Sequence, residues 1–173
     1  MPATLKRSAE ITVGLPQQQA MALFTAEGER RWAEGWNPQY PRPDRRDGPG
    51  AVFATAHGSH QTTWIMVDHT PDGVRYARVA HGISAGTVAI DVVGAHDGAT
   101  RLRVTYDLTA LTAAGEAWLA HFDDGYDAEI ASWAIDVQAA LPQPSRPMRP
   151  SAGRAHERSQ SPERGPAAQR AGE

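Results

Sequence analysis

Between Ala51 and Leu111 the apolar residues recur at alternate positions in five successive runs, AVFATAH, QTTWIMVDH, VRYARVAHG, GTVAIDVVG and RLRVTYDLTAL. Period two marks strands whose side chains point to opposite faces. The runs are rich in the Val, Thr, Ile and aromatic residues that pack well on a pleated surface. The turn signals GS, PDG, SAG and HDGA fall between them at hairpin spacing. Parallel strands need crossovers of about a dozen residues or more, so strands joined this tightly form an antiparallel meander. Val88, Ile90 and Val92 oppose Thr87, Ala89 and Asp91, and Leu102, Val104, Tyr106 and Leu108 oppose Arg101, Arg103, Thr105 and Asp107. One face of the sheet is therefore wet and the other covered.

The cover comes from the next segment. Over 112–141, TAAGEAWLAHFDDGYDAEIASWAIDVQAAL, the residues Leu119, Phe122, Tyr126, Ile130, Trp133, Val137 and Leu141 step by three or four, and the acidic residues fall on other faces. Thr112 suits the N-cap, and Pro142 stops the helix. A helix of this length makes about eight turns and spans roughly 45 Å. It outreaches an ordinary strand, so the sheet curls around it.

Upstream, residues 5–13 alternate as a first strand. LPQQQAMALFT reads as a short helix with Pro16 in its first turn. AEGERRWAEGW offers a second short helix broken by Gly35, and NPQYPRPDRRDGPG holds too much Pro and Gly to be anything but a loop. The fold class is α+β, one domain over 1–141.

After Leu141 the composition changes. Residues 142–173 are a basic Pro/Arg-rich stretch without aromatic or β-branched residues, and are expected to be a disordered tail. The whole chain carries a net charge of −3, a poor match for nucleic acid, whose binding rests on phosphate neutralisation. With no Cys there are no thiolate metal sites or thiol nucleophiles, and the composition fits a cytoplasmic, reducing setting. MPATLKRSAEITVGL lacks the apolar run of a signal peptide, and no run of about 18 apolar residues occurs, so neither export nor membrane insertion is expected. Phosphate-binding glycine motifs and a GxSxG nucleophile elbow are missing. His57 and His60 form the tightest histidine pair, but no nearby Asp or Glu completes a ligand set, so no metal and no cofactor are expected.

A strand, two short helices, a five-stranded meander and a long terminal helix are an order that buries one face of a curved sheet on one helix. The segments 23–40 (LFTAEGERRWAEGWNPQY), 50–71 (GAVFATAHGSHQTTWIMVDHTP), 97–112 (DGATRLRVTYDLTALT) and SWAIDV in the last helix resemble the SRPBCC or START-like superfamily, home of the birch-pollen allergen type and of polyketide cyclases. The chain is more similar to bacterial members of that superfamily than to its enzymes of known substrate. The resemblance implies the helix-grip fold, a curved antiparallel sheet wrapped around the C-terminal helix, with an elongated pocket between them closed at one end by the two short helices.

If Gly58 and Ser59 make a two-residue turn, then Phe53, Thr55, His57, Thr62, Trp64 and Met66 share one face; a slip of one residue turns Trp64 away. With Tyr106 from the last strand and Trp118, Phe122, Tyr126 and Trp133 from the helix, they give a broad aromatic pocket for a hydrophobic small molecule. Trp32, Trp36 and Tyr40 are expected at its rim or as a plug of its end. The favoured function is carriage or sensing of a lipid, polyketide or aromatic metabolite. An alternative is a cyclase, aromatase or dehydratase in which His57, Tyr106 or Tyr126 exchanges a proton. A second is a filled core serving structure or an interaction, and no protein partner is indicated.

Overall fold

Every period-two run becomes a strand. A computed structural model describes residues 1–58 and 60–141; the expected tail, 142–173, lies outside the described residues. The elements are β1 (Thr4–Val13), α1 (Gln17–Leu23), α2 (Ala26–Glu29), β2 (Val52–His57), β3 (His60–Thr70), β4 (Gly73–Ala80), β5 (Ser84–His96), β6 (Ala99–Ala110) and α3 (Ala113–Ala140). They form a six-stranded antiparallel sheet in the order β1-β6-β5-β4-β3-β2. The first strand thus closes the meander on the side of the last.

The turns set the register. His57 pairs with His60, Thr55 with Thr62 and Phe53 with Trp64, which puts Trp64 on the covered face. At the β5–β6 turn both Asp97 (φ 53°) and Gly98 (φ 76°) are left-handed, the geometry that matches the twist of a hairpin. Register shifts at Met66/Asp68 in β3 and Val92/Gly94 in β5 bend the strands, the usual way an antiparallel sheet acquires curvature.

The short helices differ in detail from the sequence expectation. Pro16, expected in the first turn, stands one residue earlier at the N-cap with extended ψ (149°). The second helix is a single turn, capped by Thr25 Oγ1, which accepts from the Gly28 N–H at 3.0 Å. Tight turns carry the chain on from it through Trp32 and Trp36.

α3 packs above all on β1 and less on β6. Tyr126, Ile130 and Val137 of the helix are buried against a core that includes Ile11, Val13, Leu102 and Val104. The Tyr126 hydroxyl donates to the Val104 carbonyl at 2.8 Å, and Arg7 of β1 pairs with Asp123 and Asp127 across the same joint. At the start of α3, Thr112 accepts from the Gly115 N–H at 3.1 Å and donates to the Gly82 carbonyl at 2.6 Å. Only glycine fits at 115, because a Cβ there would stand 2.0 Å from the Ile83 carbonyl oxygen. Among the described residues no helix is long and apolar enough to cross a membrane.

The helix makes its main contacts with β1 and β6, and large side chains from the rest of the sheet, from α3 and from the α2 region line a cavity beside it.

Candidate functional site

The cavity has a volume of about 240 Å³. Its walls come from the sheet (Phe53, Trp64, Tyr76, Arg78, Val88, Ile90, Tyr106), from α3 (Trp118, Phe122, Glu129, Trp133) and from the α2 region (Glu29, Trp32, Ala33, Trp36). All five tryptophans of the chain line it. It is a cleft partly open to solvent rather than an enclosed void, and its walls are mostly aromatic. It lies just below the roughly 300–1,000 Å³ of pockets for drug-sized ligands.

The rings hold one another in stacked, tilted and edge-on arrangements. Phe53 and Trp64 are parallel, with centroids 6.0 Å apart, and Tyr76 meets both edge-on at 5.9 and 6.1 Å. Trp36 closes on the same pair at 6.1 and 5.7 Å. Opposite, Trp133 packs on Trp32 at 5.6 Å and Phe24 at 6.4 Å, while Trp118 stacks on Phe122 at 4.9 Å. Indole N–H groups are satisfied inside the wall: Trp32 donates to the Leu23 carbonyl (2.7 Å), Trp36 to the Ala26 carbonyl (2.8 Å) and Trp64 to Thr55 Oγ1 (3.0 Å). Their donors are occupied, so these indoles present mainly ring carbon to the cavity.

Besides the Tyr76 hydroxyl, which donates to the Phe24 carbonyl at 3.3 Å, four polar groups interrupt that surface. Arg78 is 8% exposed, takes no part in the ion pairs of the described residues, and donates to Ser84 Oγ at 3.2 Å. Its guanidinium lies over two rings, 5.6 Å from the centre of Trp64 and 5.2 Å from that of Trp118. Loss of water lowers its pKa from the ordinary arginine value, yet arginine stays charged in proteins. Glu29 has lost enough water to hold its carboxyl well above the usual glutamate range. Burial also raises the Tyr106 phenol, which feels Arg78, Glu29 and Glu129. Glu129 is exposed and marks the solvent side of the cavity.

The structure brings together Phe53, Trp64, Tyr106, Trp118, Phe122 and Trp133 of the expected ligand residues, with Trp32 and Trp36 as walls. Thr55, His57, Thr62, Met66, Tyr126 and Tyr40 stand outside the lining. Parity explains part of this: Thr55 and His57 do share the face of Phe53, but His57 is four residues further along, about 13 Å, at an exposed hairpin tip. Thr62 lies on the same outer stretch, and Thr55 serves as acceptor for Trp64. Met66 is buried in the core. The Tyr126 phenol, pushed up to about 12 by burial, is tied to Val104 rather than free for proton transfer. Tyr40 packs on Phe53 at 5.8 Å with Arg46 over its ring, and its hydroxyl is buried without a partner among the described residues. Of the three acid–base candidates, only Tyr106 lines the cavity. Nor is any group of three His, Asp or Glu side chains among the described residues placed to hold a metal ion.

Sequence reasoning missed Tyr76, Arg78 and Glu29 as lining residues. For the first two a signal was present: Val74, Tyr76, Arg78 and Ala80 alternate with exposed Arg75 and Val79 and are all buried, so Arg78 sits in the inward phase of β4. For Glu29 there was none, since its place depends on how a one-turn helix meets the sheet.

The sequence matches no family model and no curated protein. Solved structures do match. The Mll3558 protein of Rhizobium loti superposes with a TM-score of 0.58 at 16% identity, over 82% of this chain and 99% of that one. Truncated norcoclaurine synthase of Thalictrum flavum gives 0.57 at 8% identity over 79% and 91%, and Aha1 of Colwellia psychrerythraea 0.57 at 11% over 79% and 96%. Likeness at such identities is likeness of fold alone: the chain shares with these proteins a curved antiparallel sheet wrapped around a long C-terminal helix.

Proposed function

We propose that the protein binds an apolar small molecule of one or two rings in the cavity between sheet and helix, as a carrier or sensor. The observation that carries this is the convergence of all five tryptophans on one unfilled space, three of them with their N–H groups already bonded. A volume of about 240 Å³ suits a compact aromatic metabolite better than a long acyl chain. Fold does not decide the matter, because one structure of similar fold is named a synthase. Kinship with a bacterial branch of the START-like superfamily belongs to the same proposal and rests on the sequence segments alone.

A second reading has an observation of its own. Glu29, with its carboxyl held well above the usual range, and Tyr106 line the same apolar space, an arrangement suited to proton transfer on an enolisable ligand. Native mass spectrometry of the purified protein, beside a denatured control, tests binding. A co-purifying small molecule, or an upward melting shift with planar aromatic compounds, is the expected result. A clean apo mass with no shift across a panel of aromatic and lipid compounds would refute it.

A further inference from the structure

A buried guanidinium needs acceptors, and Arg78 has few. It offers five N–H donors, and among the described residues it makes one side-chain hydrogen bond, to the hydroxyl of Ser84. Trp64 and Trp118 cover it with ring faces, which stabilise a cation but accept none of its in-plane hydrogen bonds. No carboxylate of the described residues pairs with it. The two carboxyl groups of the same cavity do not take that place. Glu29 is held toward its neutral form, and Glu129 is exposed on α3. Removing an ion from water costs several kcal/mol unless a counter-charge and hydrogen bonds compensate it. An apolar residue in the inward phase of β4 would avoid that cost.

From this we infer that the cavity takes the anion of a one- or two-ring aromatic acid, its oxyanion group held by Arg78 between Trp64 and Trp118 and its rings against the tryptophan wall. The inference rests on the binding function proposed above and adds one anionic group to its otherwise apolar ligand. The guanidinium fork matches the two oxygens of a carboxylate, and equally a sulfonate or phosphate edge. The flanking indoles hold the fork and offer stacking surface to a planar ligand.

Two fluorescent probes that share a two-ring system separate the two claims: 5-aminonaphthalene-1-sulfonate carries an anion, and 1-naphthylamine does not. Titrations of both are made on the full chain, on Arg78→Met and Arg78→Lys, and on Arg75→Met as a control on an exposed arginine of the same strand. The wild type is expected to bind the sulfonate more tightly than the amine. Arg78→Met should weaken the sulfonate by about tenfold to a hundredfold, the usual worth of a charged hydrogen bond, and change the amine by less than about threefold. Arg78→Lys should keep part of the preference, and Arg75→Met all of it. Equal binding of both probes by the wild type, or an unchanged sulfonate affinity in folded Arg78→Met, overturns the anion site while leaving the apolar cavity standing. Failure of the wild type to bind either probe overturns both. Should Arg78→Met not fold, the wild-type preference and its partial survival in Arg78→Lys decide.

Discussion

Arg78 of the sheet and Trp118 of the terminal helix meet across the cavity, the guanidinium 5.2 Å from the centre of the indole ring. The contact joins β4 to α3 through side chains alone at this point. Its energetics are nearly balanced. Desolvation of the charge costs several kcal/mol, while two cation–π contacts and one hydrogen bond return about 2–5 kcal/mol between them. Arg78→Met should therefore leave stability within about 1 kcal/mol of the wild type or raise it, as measured by urea unfolding. A loss above about 3 kcal/mol would mean that the arginine is a structural keystone.

Two tyrosines of the same region should behave oppositely. Tyr126 is fully buried and donates to the Val104 carbonyl, so Tyr126→Phe should cost about 1 kcal/mol in denaturant melts. Tyr106 is half-buried on the cavity wall, and its hydroxyl has no partner among the described residues. Tyr106→Phe should change stability by less than about 0.5 kcal/mol.

Glu29 gives stability a pH dependence of known sign. Its folded carboxyl titrates well above the unfolded one because it is desolvated. Between those two pKa values the native state binds a proton that the unfolded chain does not, so stability falls as pH rises through that window. It is greatest below the unfolded pKa. Thermal melts across the range should show this decline in the wild type and a flatter profile in Glu29→Gln. Parallel profiles would mean that the carboxyl is hydrated.

Gly115 reverses an ordinary rule. In a helix interior Gly→Ala is expected to stabilise by about 1 kcal/mol. Here the added methyl would meet the Ile83 carbonyl oxygen, so Gly115→Ala should lower the melting temperature. Gly125→Ala, on the same helix with nothing within 4 Å, should raise it.

How much of this was legible in the sequence varies with the kind of information. The hairpin register at His57 and His60 was readable, because a two-residue turn ties parity on one strand to parity on the next. Parity fixes a face and says nothing of distance along it, which is why His57 and Thr62 share the covered face yet miss the cavity. The stripe through Leu119, Tyr126, Ile130 and Val137 showed that α3 has a buried side. It did not show that this side would settle over β1, leaving room above β4 and β5. Arg78 was written in the inward phase of its strand, on the parity of Val74, Tyr76 and Ala80.

Whether the space between the helix and the sheet receives a ligand can be read from the tryptophans themselves. The measurement is a ¹⁵N–¹H spectrum of the five indole N–H groups during titration with 1-naphthylamine. The signals of Trp64, Trp118 and Trp133 should move together and saturate at a single equivalent. Bound probe that leaves all of the indole signals in place would contradict a binding cavity at this site.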